Sequence, residues 1–186
     1  TPAKTPRVSD EEIEAAAQLL RKPGQGALFI GNRALREEAL FQAGRVAAAT
    51  NARLISDTSP ARLQRGMGRV TVQRIPYFAE SAIEFMRGIE RLIFIGTKPP
   101  VSFFAYPNRP SVLSPEGAII MRLASERVDA EDTLRRLADT LDAPDQPVHV
   151  QAGKELPVVE DGRLDQTTLG IITAQSLPEN AIVSDE

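Results

Sequence analysis

Ala27-Leu28-Phe29-Ile30-Gly31 and Arg91-Leu92-Ile93-Phe94-Ile95-Gly96 are short, continuous apolar runs, each closed by a glycine. A run of this length without apolar–polar alternation is the pattern of a strand buried on both faces of a parallel sheet. The segments around them fit that reading. Ser9-Asp10-Glu11-Glu12 is a capping box, after which Ile13, Ala16, Ala17 and Leu20 repeat at helical spacing as far as Pro23-Gly24. A helix is expected over 33–49, with Leu35, Ala39, Ala43, Val46 and Ala47 inward. Arg53-Leu54-Ile55-Ser56-Asp57 reads as a second strand and 69–75 as a weaker one, followed by a helix with Ala82, Phe85, Met86 and Ile89 on one face. Residues 118–123 supply another strand, and Asp129 caps a helix carrying Leu134, Leu137, Ala138 and Leu141. Strand and helix alternate throughout, so the predicted fold is α/β: a doubly wound, mostly parallel sheet flanked by helices.

The ends have a different texture. Thr1-Pro2-Ala3-Lys4-Thr5-Pro6 is Pro-rich, and 1–8 reads as an interdomain linker. The main domain is expected over 9–143. Pro144, Pro147, Gly153, Pro157 and Gly162 then break up a stretch without a period, so 144–164 reads as a second linker. Regular structure resumes with Asp165 as an N-cap, a helix, a turn at Pro178-Glu179-Asn180 and an apolar strand from Ala181-Ile182-Val183. A strand of that kind needs cover on both faces, and no covering helix follows it. The expectation is therefore an excised middle piece of a larger protein, in which 165–186 open a further domain and stay out of the central sheet.

Composition narrows the function classes. The 186 residues are 42% hydrophobic and 25% charged, with a net charge of −3, and the pI is near 5.4. That balance is of a globular domain and argues against nucleic acid as the main partner, which usually leaves a basic footprint. No apolar run approaches the roughly 20 residues of a membrane span. With no cysteine, disulfides, thiolate metal sites and cysteine nucleophiles are excluded, and a cytoplasmic location is expected.

In an open α/β sheet, ligands bind at the carboxyl ends of the strands. Three such ends are visible: Gly31-Asn32-Arg33, Asp57-Thr58-Ser59 and Gly96-Thr97-Lys98. Gly31, Asn32, Arg33, Gly96, Thr97 and Lys98 are the candidate cofactor-binding residues, able to hold a phosphate-bearing ligand. The plainer reading is that the glycines let the chain turn off its strands while Asn32 caps a helix. Neither G-x-G-x-x-G nor P-loop spacing accompanies them. Arg62, Arg65 and Arg69 fall at a helical spacing that would make one basic face, solvated or turned to an acidic partner. His149, the single histidine, sits in the linker without a fixed scaffold. Pro99-Pro100-Val101-Ser102-Phe103-Phe104-Ala105-Tyr106-Pro107 clusters three aromatics where a loop is normally polar. Either it folds back as local core or it docks on a neighbouring domain or subunit. Paired carboxylates with a base, a Ser/His/Asp set and metal-ligand spacings are absent.

The order of the two Gly-closed apolar runs, a ragged linker, Gly162-Arg163-Leu164 and finally Leu177-Pro178-Glu179-Asn180-Ala181-Ile182-Val183-Ser184-Asp185-Glu186 resembles the central domain of thiamine-diphosphate-dependent enzymes. The group containing acetolactate synthase, benzoylformate decarboxylase and benzaldehyde lyase is the most similar, and Phe103-Phe104-Ala105-Tyr106-Pro107 resembles acetolactate synthase large subunits. The resemblance implies a Rossmann-like domain of the DHS-like NAD/FAD-binding type within a three-domain parent acting on a small 2-oxo acid. It places thiamine diphosphate and Mg²⁺ in the flanking domains, with the active site between two subunits, and leaves no catalytic residue and no metal site here; Asp161-Gly162 is only a linker dipeptide. Some relatives hold FAD or ADP behind a run of glycines after the first strand. Here Asn32 and Arg33 stand in that place, which makes FAD doubtful and predicts a vestigial, empty site. The rival reading is a stand-alone nucleotide-binding α/β domain using the same six residues.

Overall fold

The computed structural model describes residues 5–104, 107–153, 158, 159, 162 and 164–184. Thr1 to Lys4, Ala105 and Tyr106 of the aromatic turn, Pro157, Asp161 and Arg163 of the linker and the closing Asp185-Glu186 lie outside the described residues. The chain divides into two compact units, Thr1–Gln151 and Ala152–Glu186.

The first unit is an α/β layer structure in the order α1 (Asp10–Arg21), β1 (Gln25–Ile30), α2 (Glu37–Thr50), β2 (Arg53–Ser56), β3 (Gln73–Arg74), α3 (Ala79–Met86), β4 (Ile89–Ile95), β5 (Ile119–Ala124) and α4 (Ala130–Thr140). Its five strands run parallel in the order β3-β2-β1-β4-β5. The two apolar runs that predicted buried strands are the central pair, in register from Ala27↔Leu92 to Ile30↔Ile95. Successive side chains on a strand face opposite ways, so each run feeds two cores. Leu28, Ile30, Ile93 and Ile95 pack with Ala16, Leu40, Val46, Leu134 and Leu137 of α1, α2 and α4. Ala27, Phe29, Leu92 and Phe94 pack with Ala79, Ala82 and Met86 of α3, and the Phe29 and Phe94 rings lie 5.5 Å apart. Burying each large side chain contributes roughly 1.5–3 kcal/mol, so this central pair dominates the stability of the sheet.

The caps read from the sequence form as expected. Ser9 and Glu12 make the reciprocal capping box of α1, and Asp129 accepts the Asp132 N–H at 3.1 Å to start α4. The helix expected over 33–49 is interrupted. Asn32–Leu35 is a 3-10 turn, Arg36 is extended, and α2 begins only at Glu37. Gln64 causes the break by taking the groups that would continue the helix: its N–H donates to the Leu35 carbonyl at 3.1 Å, and its side-chain oxygen accepts the Glu37 N–H at 2.6 Å.

The strand expected over 69–75 shrinks to β3, two residues paired with β2. Backbone groups ahead of it are used by 148–151 instead: Thr71 N–H donates to the His149 carbonyl at 2.8 Å, and Gln151 N–H to the Arg69 carbonyl at 2.9 Å. Residues 144–151, read as linker, thus close onto this unit, and Val148 N–H reaches the Gly44 carbonyl at 3.4 Å. Gly44 makes that approach possible, since a Cβ there would lie 2.6 Å from the Pro147 Cβ. Ile89, read as the end of a helical face, instead starts β4 after a left-handed Gly88.

At the amino end, the lead is fastened from Pro6 onward. The Pro6 carbonyl accepts the Asp129 N–H at 3.0 Å, Val8 is buried, and Arg7, Arg135 and Arg136 converge on Asp132. Those cations hold the Asp132 carboxyl down at about 2, with the Arg7 hydrogen bond as the largest cause.

The second unit contains α5 (Gln166–Ser176), capped by Asp165, whose carboxylate accepts the Thr168 N–H at 2.8 Å. None of its residues is buried. The strand expected from Ala181 does not form. Residues 181–184 are exposed, and the Ala181 N–H closes on the Pro178 carbonyl at 3.2 Å. A strand exists only by pairing, and this unit's own described residues offer it no neighbouring strand.

Candidate functional site

The strand order reverses between β1 and β4, which makes their carboxyl ends the crevice where an α/β sheet takes ligands. Gly31 follows β1 in extended backbone and donates its N–H to the Ile95 carbonyl at 3.0 Å. Gly96 follows β4 at φ +70, a conformation that favours glycine, and donates to the Ala124 carbonyl at 2.9 Å. Asn32 is itself left-handed at φ +52 and donates its side-chain amide to the Gly96 carbonyl at 2.7 Å. It does not cap a helix, as one sequence reading had it.

The two turns lie in contact. A Cβ on Gly96 would be 2.6 Å from the Gly31 carbonyl oxygen, and one on Gly31 would be 2.7 Å from the Thr97 Cβ. The glycines therefore let the two turns approach each other this closely. Thr97 extends the contact by donating its hydroxyl to Asp57 Oδ2 at 3.1 Å. Burial pushes the half-buried Asp57 carboxyl up, and the Thr97 hydrogen bond partly opposes this. Gly31, Asn32, Gly96, Thr97 and Asp57 thus form one clasp across the ends of three strands. The Asp57–Thr97 pairing was missed in the sequence, where the two residues sat at separate strand ends. Arg33 and Lys98 stand outside the clasp: Arg33 is exposed in the 3-10 turn, and Lys98, 81% exposed, is 3.9 Å from Glu126.

The other candidates disperse. Arg62, Arg65 and Arg69 share no helix, because the connection between β2 and β3 is irregular; Arg65 lines a depression of about 110 Å³ with Gln64, Thr71 and Arg74. His149 is exposed and contributes only its carbonyl, to Thr71. Among the described residues, no group of three or more His, Cys, Asp or Glu is placed to hold a metal ion. No helix among them is long and apolar enough to cross a membrane.

The aromatic turn does not become local core. Phe103 is 73% exposed and Phe104 48%, since the face beneath is already filled by Phe94, Leu113 and α3. Tyr77 and Phe78, unremarked in the sequence, join it: Tyr77 lies 5.4 Å from Phe103, 6.2 Å from Phe104 and 5.4 Å from Phe78. Their signal was two adjacent aromatics just ahead of an amphipathic helix.

The five-strand parallel α/β fold matches part of solved thiamine-diphosphate-dependent enzymes. It matches 4-hydroxybenzoylformate decarboxylase of Rhodococcus jostii RHA1, a thiamine-diphosphate-dependent enzyme, at a TM-score of 0.67 and 18% identity, over 98% of this chain and 37% of that one. It matches benzoylformate decarboxylase of Polynucleobacter necessarius at 0.66 and 16%, over 98% and 36%. In sequence, the chain resembles IlvX of Mycobacterium tuberculosis (strain ATCC 25618 / H37Rv), provisionally named acetolactate synthase large subunit, with 39% identity over 175 residues, 94% of this chain and 33% of that protein. The resemblance carried by the sequence motifs, to the central domain of acetolactate synthase-like proteins, therefore holds over nearly the whole chain. The chain spans about a third of the length of these relatives. No family model matches it.

Proposed function

We propose that this chain is the non-catalytic central scaffold domain of a thiamine-diphosphate-dependent 2-oxo acid carboligase or decarboxylase of the acetolactate synthase type. The observation that carries the reading is the 39% identity to IlvX across 94% of the chain, joined to a switch-point crevice closed by its own residues. In the parent, a transferase or lyase of cytoplasmic location, thiamine diphosphate and Mg²⁺ are held by the flanking domains and a second subunit completes the active site. The cofactor supplies the carbanion chemistry; a domain of this kind contributes spacing and orientation. Residues 165–186 then open the third domain.

The rival, a nucleotide-binding domain taking FAD or ADP, is favoured by the strand-end position of Asp57 and Thr97. The clasp disfavours it. A diphosphate needs free backbone N–H groups at the ends of β1 and β4, whereas the Gly31 and Gly96 N–H groups are spent on carbonyls and the space between the turns is filled.

The test is to incubate the purified 186-residue chain with thiamine diphosphate, Mg²⁺ and pyruvate. Neither decarboxylation nor carboligation is expected, and turnover would sink the scaffold assignment. A yellow purified protein, or FAD quenching with a Kd of about 1 µM, would favour the rival.

A further inference from the structure

We propose that the depression beside β3, where Arg65, Arg74 and Gln151 converge, is a binding site for a phosphate group, free or carried by a small molecule. This inference does not depend on the scaffold reading, because the depression lies at the β3 edge of the sheet and not in the crevice between β1 and β4.

The charge pattern is the first observation. Between Asp57 and Glu80 the chain carries four arginines, Arg62, Arg65, Arg69 and Arg74, and no carboxylate, although its net charge is −3. All four are exposed. Elsewhere the arginines are neutralised: Arg7, Arg45, Arg87, Arg109, Arg135 and Arg136 each lie against an Asp or Glu. Among the described residues, none of the four has such a partner. A lone exposed cation is simply solvated, and Arg62 and Arg69 fit that description. Arg65 and Arg74 differ because they line one concavity, where two unneutralised like charges repel until an anion comes between them.

The walls of the concavity are tied down on both sides. Gln64 is fixed to the start of α2, its N–H donating to the Leu35 carbonyl at 3.1 Å and its side-chain oxygen accepting the Glu37 N–H at 2.6 Å. Opposite, Thr71 N–H donates to the His149 carbonyl at 2.8 Å and Gln151 N–H to the Arg69 carbonyl at 2.9 Å. A backbone already held in place loses little freedom when a ligand arrives. The Thr71 hydroxyl is spent on the His149 carbonyl as well, so the donors left for a ligand are the two guanidinium groups and the Gln151 amide.

Size and donor chemistry name the class. At about 110 Å³ the depression is well below the roughly 300–1,000 Å³ of a pocket for a whole small molecule. It has room for one anionic group. Each guanidinium presents paired N–H donors that match the edge of an oxyanion, and a phosphate group, with a charge of about −1.5 to −2 and three or more acceptor oxygens, answers both at once. Glu37 lies 3.4 Å from the Gln64 amide, and its repulsion together with solvent screening keeps the binding weak.

An amide-shift titration of the isotope-labelled 186-residue chain with inorganic phosphate, at an ionic strength held constant with chloride, tests the site. The amides of Gln64, Arg65, Thr71, Arg74 and Gln151 should shift saturably with a Kd of about 1 mM. Glycerol 3-phosphate separates the two sources: a Kd at least about tenfold lower assigns the site to an organic phosphate, and an equal or higher one to free phosphate. The double variant Arg65→Gln/Arg74→Gln should weaken binding about tenfold or more with an unchanged melting curve. If it fails to fold, Arg74→Lys, which keeps the charge and loses the fork, should raise the Kd several-fold. Shifts that grow without saturating overturn the proposal, as does saturation that survives these variants or shifts centred on Asn32 and Thr97. A response to a glutamate-rich peptide and none to phosphate also overturns it, and would turn the arginines to an acidic protein partner.

Discussion

Residues 96–97 and 103–104 follow the same strand, yet meet opposite fates. Gly96 and Thr97 are turned inward on Gly31, Asn32 and Asp57, with every named polar group paired. Phe103 and Phe104 stand outward against Tyr77, 73% and 48% exposed. The difference teaches that chemical type is a poor guide to which loop turns inward here. The polar, glycine-bearing strand ends, read either as a phosphate site or as plain turns, bond to one another. The apolar loop, read either as local core or as a docking surface, leaves Phe103 and Phe104 outside the core.

The comparison breaks most sharply at Gly96. Gly96→Ala places a methyl against the Gly31 carbonyl and forces an alanine to φ +70, so urea denaturation should show a loss of about 3 kcal/mol. An unchanged midpoint would mean that the turns separate easily and that the crevice can open to a ligand. Asn32→Ala comes next. It removes the bond to the Gly96 carbonyl and the side chain that tolerates a left-handed backbone, with an expected loss of about 1–2 kcal/mol by the same measurement.

Acid titration sharpens the contrast between the clasp carboxyl and a paired one. Asp132 has a depressed pKa in the folded chain, so its contribution is present above about pH 4. That contribution is lost as the pH falls toward about 2. Asp132→Asn should remove about 1 kcal/mol at neutral pH and flatten this limb. Asp57 works in the opposite sense. Its folded pKa is raised, so its ionisation costs stability as the pH climbs from the ordinary carboxylate range through the raised value, and Asp57→Asn should abolish that decline. Absence of that decline in the unsubstituted chain would show that Asp57 is solvated and the clasp open.

The smallest effect belongs to the aromatic face. Phe103→Ser should change stability by less than about 0.5 kcal/mol, measured by thermal melting. Phe94→Ala on the same strand should cost about 3–5 kcal/mol. A large loss at Phe103 would return the aromatic turn to the core.

Much of the fold was legible because the deciding signals are local. The runs ending in Gly31 and Gly96 could only be strands buried on both faces, and Ser9, Asp129 and Asp165 cap their helices through residues three positions on. The failures share one cause. The helix expected from Arg33 is cut by Gln64, the strand over 69–75 loses its backbone groups to His149 and Gln151, and the strand at Ala181 lacks a partner. In each case a segment distant in sequence supplied or withheld hydrogen-bond partners, which no local pattern records.

The site divides along the same line. The sequence by itself determined the α/β class, the two central strands and the caps, because each is written in composition and short-range spacing, while its motifs carried the resemblance to acetolactate synthase-like central domains. Only the tertiary structure decided that Gly31 and Gly96 face each other, that Thr97 reaches Asp57, and that Tyr77 and Phe78 join Phe103 across the surface. Those are distances between segments set by strand order, and chain spacing does not encode them until the sheet has formed.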